Sequence, residues 1–566
     1  MTTGSQAPSS ALQGDRGRPR SPSFPAREIP SVIGAAIALA LVMHWPLIPK
    51  FGRAVPGNLA DPMLQAWEVA WGGHALLHQP LHLFDTNAFW PLGNSLAFSD
   101  ALLGYAPAGL LGSGPGAALI RYNVLFLVAA TLAFAGAYLL ARQFGASWVG
   151  GAIAGAAFAY APWRLSQVNH LNVLSSGGIP LSLFLLIRGH QRKRAGMMLA
   201  GWVVAAWQVT LGFVLGLQLM YLVATVAVIA ALWWGLHGRS ALDHRVVVAN
   251  AAGLLLFASC SALLSIPYFQ AVRAYPEFHR SPSEVEFFSA PKRGLLAASE
   301  TNLVWGRVTE PARRGLPWPE EQTLFPGLAA PALAAVGLVG GRWPRRRRLG
   351  LACGVVVTIV LALGYRLASG KLGYAFLHDH VPGWGGIRVP SRVMTLTTLG
   401  LALLAASGAD RALEGLGHAR PFRVLSQSSI AVVLLAAVLV EGAGMIPTSV
   451  PPPEPPALAS LPAPQLHLPV EWTPLYMFWS TDGFPAIVNG YSGYIPPPLA
   501  NIYGRLIKFP DSEGVMLLRD LGVRTVIYHD NLPAGQFWRS VVTRGVTGLA
   551  LRRERLGALV VFRLSR

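Results

Sequence analysis

From residue 29 to residue 446 one pattern repeats along the chain: an apolar stretch, then a break rich in Gly, Pro or Arg. Several of these stretches are roughly 20 residues long, the length at which a helix crosses the ~30 Å hydrocarbon layer of a bilayer. Such stretches lie near 29–48, 122–141, 148–162, 170–187, 196–210, 214–235, 246–268, 323–340, 349–367, 391–408 and 425–446. They predict an all-α polytopic membrane protein with about eleven transmembrane helices over 30–446. The Gly-rich stretch 101–120 is a further apolar segment with the composition of a re-entrant one.

After residue 446 the pattern changes. PPPEPP at 451–456 marks a stiff Pro-rich linker, set at 447–469. Residues 470–566 read as a small α/β domain. Asp511 or Ser512 caps a helix running to Leu521, Gly522 ends it, and VRTVIYH at 523–529 is a buried strand. Residues 547–552 and 558–564 form a last strand pair.

Charge orients this plan. Over 566 residues, 53% are hydrophobic and 13% charged, which is not a soluble globular composition. The formal charge of +19 comes mainly from Arg clustered between apolar stretches, the mark of cytoplasmic loops, and no base-reading module accompanies it, so nucleic acid is excluded as a partner. Residues 1–29, with Arg16, Arg18, Arg20 and Arg27, read as a disordered cytoplasmic tail. The same side then receives Arg142; Arg188, Arg192, Lys193 and Arg194; Arg239 and Arg245; Arg342 and Arg345–Arg348; and Arg411, Arg420 and Arg423. The opposite, extracytoplasmic side receives a first loop at 50–121, a second at 269–322 and the C-terminal domain. The Ala, Gly, Pro and Arg bias fits a bacterial chain, and the expected site is the inner membrane. Cys260 and Cys353 lie in apolar stretches and read as buried small hydrophobes.

Chemistry-bearing residues gather in the first outer loop. Residues 58–100 hold Asp61 and Asp100 among Trp, Leu and Ala, and acids where a chain leaves the bilayer point to function. Asp61–Pro62 has the form of a capped helix start. Leu64, Trp67 and Trp71 then make an apolar stripe beside Asp61, Gln65 and Glu68, predicting an amphipathic helix in the membrane interface. Capping and catalysis are compatible roles for Asp61. His74 and His78, four apart, favour packing over metal binding.

The segments DPMLQAWEVAW, LFDTNAFWPLGNSLAFSD, YAPWRLSQVNHLNVL, EEQTLFPG, VPGWGGIRVPSR and IVNGYSGYIP resemble the C-type (GT-C) glycosyltransferase superfamily, in particular poorly characterised glycosyltransferase-like or YfhO-like bacterial membrane proteins. The resemblance implies a GT-C-like fold and transfer of a sugar from a polyprenyl-phosphate donor, with inversion, to an envelope lipid, polysaccharide or protein acceptor. It places Asp61 at the position of the general base and Asp100 at that of a second acid that orients acceptor or metal. The metal-binding DxD of the superfamily is absent from LADPM, so a divalent metal stays an open question and no cofactor is assigned. Arg388, Arg392 and Arg164 are donor-phosphate candidates, with snorkelling from a helix end as the other reading. His170, Glu68, Lys292, Arg293, Glu320, Glu321, Tyr491 and Tyr494 are further cavity candidates. For them an interfacial His, solvated loop charges, helix-start acids and a packed aromatic loop are the alternatives. A lipid-linked glycan transporter or a non-catalytic envelope assembly protein is the rival function. Few charges lie within the apolar stretches and no internal repeat is evident, which counts against a transporter.

Overall fold

The computed structural model describes residues 27–237, 243–418 and 427–565. The N-terminal tail with Arg16, Arg18 and Arg20 lies outside the described residues, as do Arg239, Arg420 and Arg423. Each apolar stretch falls on a helix: α1 (Glu28–Met43), then α2 (Asp61–His78) in the first loop, α3 (Gly114–Gln143), α4 (Trp148–Ala159), α5 (Gly178–Arg192), α6 (Ala195–Thr210), α7 (Phe213–His237), α8 (His244–Ala274), α9 (Ala329–Gly340), α10 (Arg345–Ala362), α11 (Met394–His418) and α12 (Gln427–Glu441). Five helical segments are long and apolar enough to cross a membrane: Gly114–Gln143, Leu171–Arg192, Phe213–Leu232, His244–Ala274 and Pro390–Gly415. The apolar helices Glu28–Met43, Trp148–Ala159, Ala195–Thr210, Ala329–Gly340 and Gln427–Glu441 are shorter. Arg345–Arg348 occupy the first turn of α10 and shorten its apolar part.

The chain is a multi-pass membrane protein. Helices α7 and α8 expose Val228, Ile229, Leu232, Leu254, Leu255, Leu263 and Phe269, a continuous apolar face that water would not tolerate. The interior is built by close approach of small residues. Helices α9 and α11 pack together, and a Cβ at Gly408 would meet the Leu333 carbonyl oxygen at 1.8 Å, so only glycine permits this crossing. Cys353 sits on the outer face of α10 and is exposed rather than buried, because α10 covers the bundle with only one side. Hydrogen bonds from Arg347 to the Phe144 carbonyl (3.0 Å) and from Arg188 to Gln143 (2.8 Å), with an ion pair between Arg342 and Glu414, bring the Arg-rich helix ends to one end of the bundle.

At the other end the first loop and the C-terminal segment pack together. Strand β1 (Val55–Pro56) pairs antiparallel with β2 (Thr448–Ser449). A four-stranded sheet follows, in the order β3 (Gln465–Leu468), β4 (Thr525–His529), β6 (Leu559–Leu564) and β5 (Leu551–Leu556), with β3 parallel to β4 and the other pairs antiparallel. Helices α13 (Thr473–Trp479) and α14 (Ser512–Asp520) complete this part, and Asp511 caps α14 by accepting from the Gly514 N–H. The stretch read as linker therefore ends sooner than 469. QLHL at 465–468 lies between prolines, but all four residues are buried as a strand.

Helix α2 is not an interfacial helix. Pro62 through Gly73 are buried without a break. Trp67 donates to Asn87 Oδ1 at 3.1 Å and Trp71 to the Leu83 carbonyl at 2.9 Å, inside the core shared with the C-terminal segment. The aromatic stripe is real, but protein covers it on every side. His74 and His78 stack with ring centroids 4.3 Å apart.

Candidate functional site

Asp61 is the first residue of α2, and its carboxylate caps no backbone N–H. The cap expectation fails because Ala60 holds the N-cap position, leaving the Asp61 side chain turned outward to other elements. Oδ1 accepts from the Tyr491 hydroxyl at 2.8 Å, and Oδ2 lies 3.0 Å from His170 Nε2. Two long-range contacts thus converge on one carboxylate, one from the C-terminal segment and one from the turn between α4 and α5.

His170 carries the arrangement further. Its Nε2 is 3.6 Å from Glu321 Oε1, which accepts from Arg392 at 2.6 Å. Gln167 donates to the other Glu321 oxygen at 3.2 Å and faces His170 Nδ1 through its own carbonyl oxygen at 3.1 Å. Asp61, His170, Glu321 and Arg392 form a tetrad of two acids and two bases, almost wholly buried except at Asp61, whose side chain is 28% exposed. Burial opposes each charge and the partners outweigh it. Asp61 is pushed up by burial, yet the His170 and Tyr491 hydrogen bonds hold it below its ordinary value. Burial likewise works against Glu321, but Arg392 and His170 bring it down to about 2. For His170 burial favours the neutral ring, and Glu321 and Asp61 reverse this and raise its pKa. The tetrad is an ionic network that compensates itself.

The exposed edge of Asp61 opens into a cavity of about 1120 Å³. Its polar wall carries Arg280, Arg388 and Arg392, with Glu320 and Ser492; its apolar wall is made by Leu217, Met220, Tyr221 and Phe269 of α7 and α8. Arg388 donates to the Gly493 carbonyl at 3.2 Å and stacks 4.7 Å over Phe288, and Arg280 donates to the same carbonyl at 2.9 Å. Two guanidiniums are thereby held side by side at the junction of polar and apolar walls.

Asp100 also lines the cavity, in a different manner. One oxygen accepts from the Phe213 backbone N–H at the start of α7 and the other from Asn172 Nδ2, and Asn172 is held in turn by Gln65 at 3.1 Å. Glu68 lies behind this wall and is 1% exposed. Burial and the negative Asp100 hold its carboxyl well above the usual carboxylate range, although a Ser99 hydrogen bond opposes them. Glu68 therefore stays behind the cavity wall, and its Oε1 has no hydrogen-bond partner among the described residues.

Several candidates lie elsewhere. Arg164 turns away and donates to Ser176 Oγ at 3.1 Å and the Leu174 carbonyl at 2.8 Å, since its turn winds so that Asn169 and His170 take the cavity side. Lys292 and Arg293 are exposed, and Arg293 is engaged by the Gly315 carbonyl. Tyr494 packs against Phe278 and Arg280 outside the cavity lining. Sequence reasoning did not single out Arg280, His279 or the 378–380 His–Asp–His run, all of which line the cavity. The short HDH run between an apolar turn and VPG was the available signal. Among the described residues no group of three His, Cys, Asp or Glu side chains is arranged to hold a metal ion. Asp61 and Glu321 already have cationic partners, so the tetrad does not fit a divalent metal.

The sequence matches no protein-family model and no curated protein sequence. Its fold is that of the arabinofuranosyltransferase AftD from Mycobacteria, solved by cryo-electron microscopy, with a TM-score of 0.59 at 15% identity over 96% of this chain. This chain spans 40% of the length of that AftD chain. A crystal structure of the Archaeoglobus fulgidus oligosaccharyltransferase aligns over 88% of this chain and 68% of that one, with a TM-score of 0.42 at 14% identity. The likeness to AftD is one of fold.

Proposed function

We propose that this chain is an inverting membrane glycosyltransferase that moves a sugar from a polyprenyl-phosphate donor to an envelope lipid, polysaccharide or protein acceptor. The observation that carries the reading is the position of Asp61. A rigid, ionised carboxylate faces a cavity with a cationic shelf on one side and two apolar helices on the other. A prenyl chain matches the α7–α8 wall, a phosphate matches Arg388 and Arg392, and the sugar then lies against Asp61.

In the proposed step the acceptor hydroxyl oxygen bonds to the anomeric carbon while the bond from that carbon to the phosphate oxygen breaks. The acceptor proton passes to Asp61, and the electron pair leaves with polyprenyl phosphate. The proton becomes acidic as the new bond forms, so a carboxylate of depressed pKa can accept it late in the step. Each Asp61 oxygen has one partner and retains a free lone pair for the acceptor. Arg388 and Arg392 stabilise charge that grows on the leaving phosphate, where electrostatic catalysis is most effective. The Arg-rich helix ends favour a cytoplasmic position by the positive-inside rule, which supports a periplasmic site in a bacterial inner membrane.

The test uses membranes containing the full chain, supplied with lipid-linked donors and envelope acceptors. Asp61→Asn should abolish glycan transfer while the protein is still made and inserted. Unchanged transfer would refute the assignment.

A further inference from the structure

Arg164 leaves a question that the transferase reading does not answer. It is 5% exposed, and no carboxylate pairs with it among the described residues. Two of its N–H groups reach neutral oxygens, of Ser176 and Leu174, and Nε–H has no partner. The hydroxyl of Tyr160, a residue 4% exposed, is unpartnered too. Both residues line one small chamber of about 30 Å³, with Phe126, Val168, Gly442 and Ile446 also in its wall. The nearest acid in sequence to that wall, Glu441, is committed to capping α9, where it accepts from the Leu328 and Ala329 N–H groups at 2.8–3.0 Å. His44 also borders the chamber; burial brings it down to about 4, so it is neutral and adds no charge.

A guanidinium cannot escape such a place by losing its proton; the Phe158 and Trp163 rings lie 5.6 and 6.0 Å from the Arg164 Cζ, but they carry no counter-charge, and a buried charge without one is among the costliest features a protein can hold. A water needs about 10–15 Å³ of such space, so the chamber has room for one or two waters or for one small ion. It is too small for a phosphate or a lipid headgroup.

We propose that this chamber binds a single chloride-sized monovalent anion between Arg164 and Tyr160, and that the ion stiffens the turn carrying His170. The turn from Pro162 to His170 is short, so Arg164 and His170 are placed by the same backbone. The anion supplies the counter-charge that the chain itself does not, and both unpartnered donors then have an acceptor.

The full chain in detergent is titrated from potassium gluconate to potassium chloride at constant ionic strength, with the thermal midpoint as readout. Gluconate is too large for the chamber. The midpoint should rise saturably with chloride and with bromide. Arg164→Gln should abolish the rise, and Tyr160→Phe should require about tenfold more chloride, the worth of one hydrogen bond to a charged group. Crystals grown in bromide should show an anomalous peak between the two side chains. Equal midpoints in chloride and gluconate, with no bromide peak, would mean that water fills the chamber and would overturn the proposal. Should Arg164→Gln fail to fold, Tyr160→Phe and the bromide peak decide by themselves.

Discussion

The two acids that bound the first-loop segment, Asp61 and Asp100, face the same cavity and are held in opposite ways. Asp61 is held by titratable side chains, His170 and Tyr491, which come from distant elements. Asp100 is pinned by a backbone N–H of Phe213 and by Asn172, groups that neither titrate nor move without disturbing α7. A general base needs partners that can yield to a substrate hydroxyl, whereas a structural pin needs partners that cannot. On the proposed function, this difference suits Asp61 to the chemistry and Asp100 to shaping the cavity.

The sharpest way to break this comparison is to neutralise each acid in turn. Asp61→Asn should lower the transfer rate by about 10²–10⁴-fold, the usual worth of a positioned base. Opening the tetrad at Arg392 should act on stability as well as on transfer. Arg392→Ala strands the buried Glu321 carboxylate, and chemical denaturation should register a loss of about 3–5 kcal/mol. Asp100→Ala leaves the Phe213 N–H and the Asn172 amide without an acceptor. It should cost about 1–3 kcal/mol by the same assay, with activity falling through the displaced start of α7. Tyr491→Phe removes one hydrogen bond from Asp61 and should slow transfer by about tenfold without unfolding the protein.

The smallest effect is in pH. Folding raises the pKa of His170 above 6.5, so its contribution is fully present below pH 6.5 and is lost as pH rises through the folded value. Asp61 and Glu321 are depressed from 3.8 and 4.5, so theirs are present above those values and fade as pH falls, for Glu321 toward about 2. Thermal midpoints should therefore decline on the alkaline side of pH 6.5, and His170→Gln should flatten that decline. An alkaline limb unchanged in His170→Gln would place its origin outside the tetrad.

Periodicity made the helices legible, because a bilayer-crossing stretch must be apolar along its length, and every expected span found a helix. It could not tell which of them lipid surrounds and which protein surrounds, as the short, buried Trp148–Ala159 shows. Helix α2 misled for the same reason: a Trp stripe against headgroups and one against a C-terminal sheet look alike in sequence. Asp61, His170, Glu321 and Arg392 were each visible as candidates. Their assembly was not, since it joins residues up to 331 positions apart through loops without periodic signal. Arg164 was misplaced because a turn only six residues long decides which side chains face the cavity. Strand β3 was hidden because four buried residues between prolines have the composition of a linker.

The most direct measurement separates donor binding from transfer in the purified full chain. A polyprenyl-phosphate donor labelled in its sugar is offered to wild type and Asp61→Asn, and both bound label and labelled product are followed through a single turnover. On this account Asp61→Asn should bind the donor as wild type does and form product about 10²–10⁴-fold more slowly. Product formation by Asp61→Asn at the wild-type rate would contradict it.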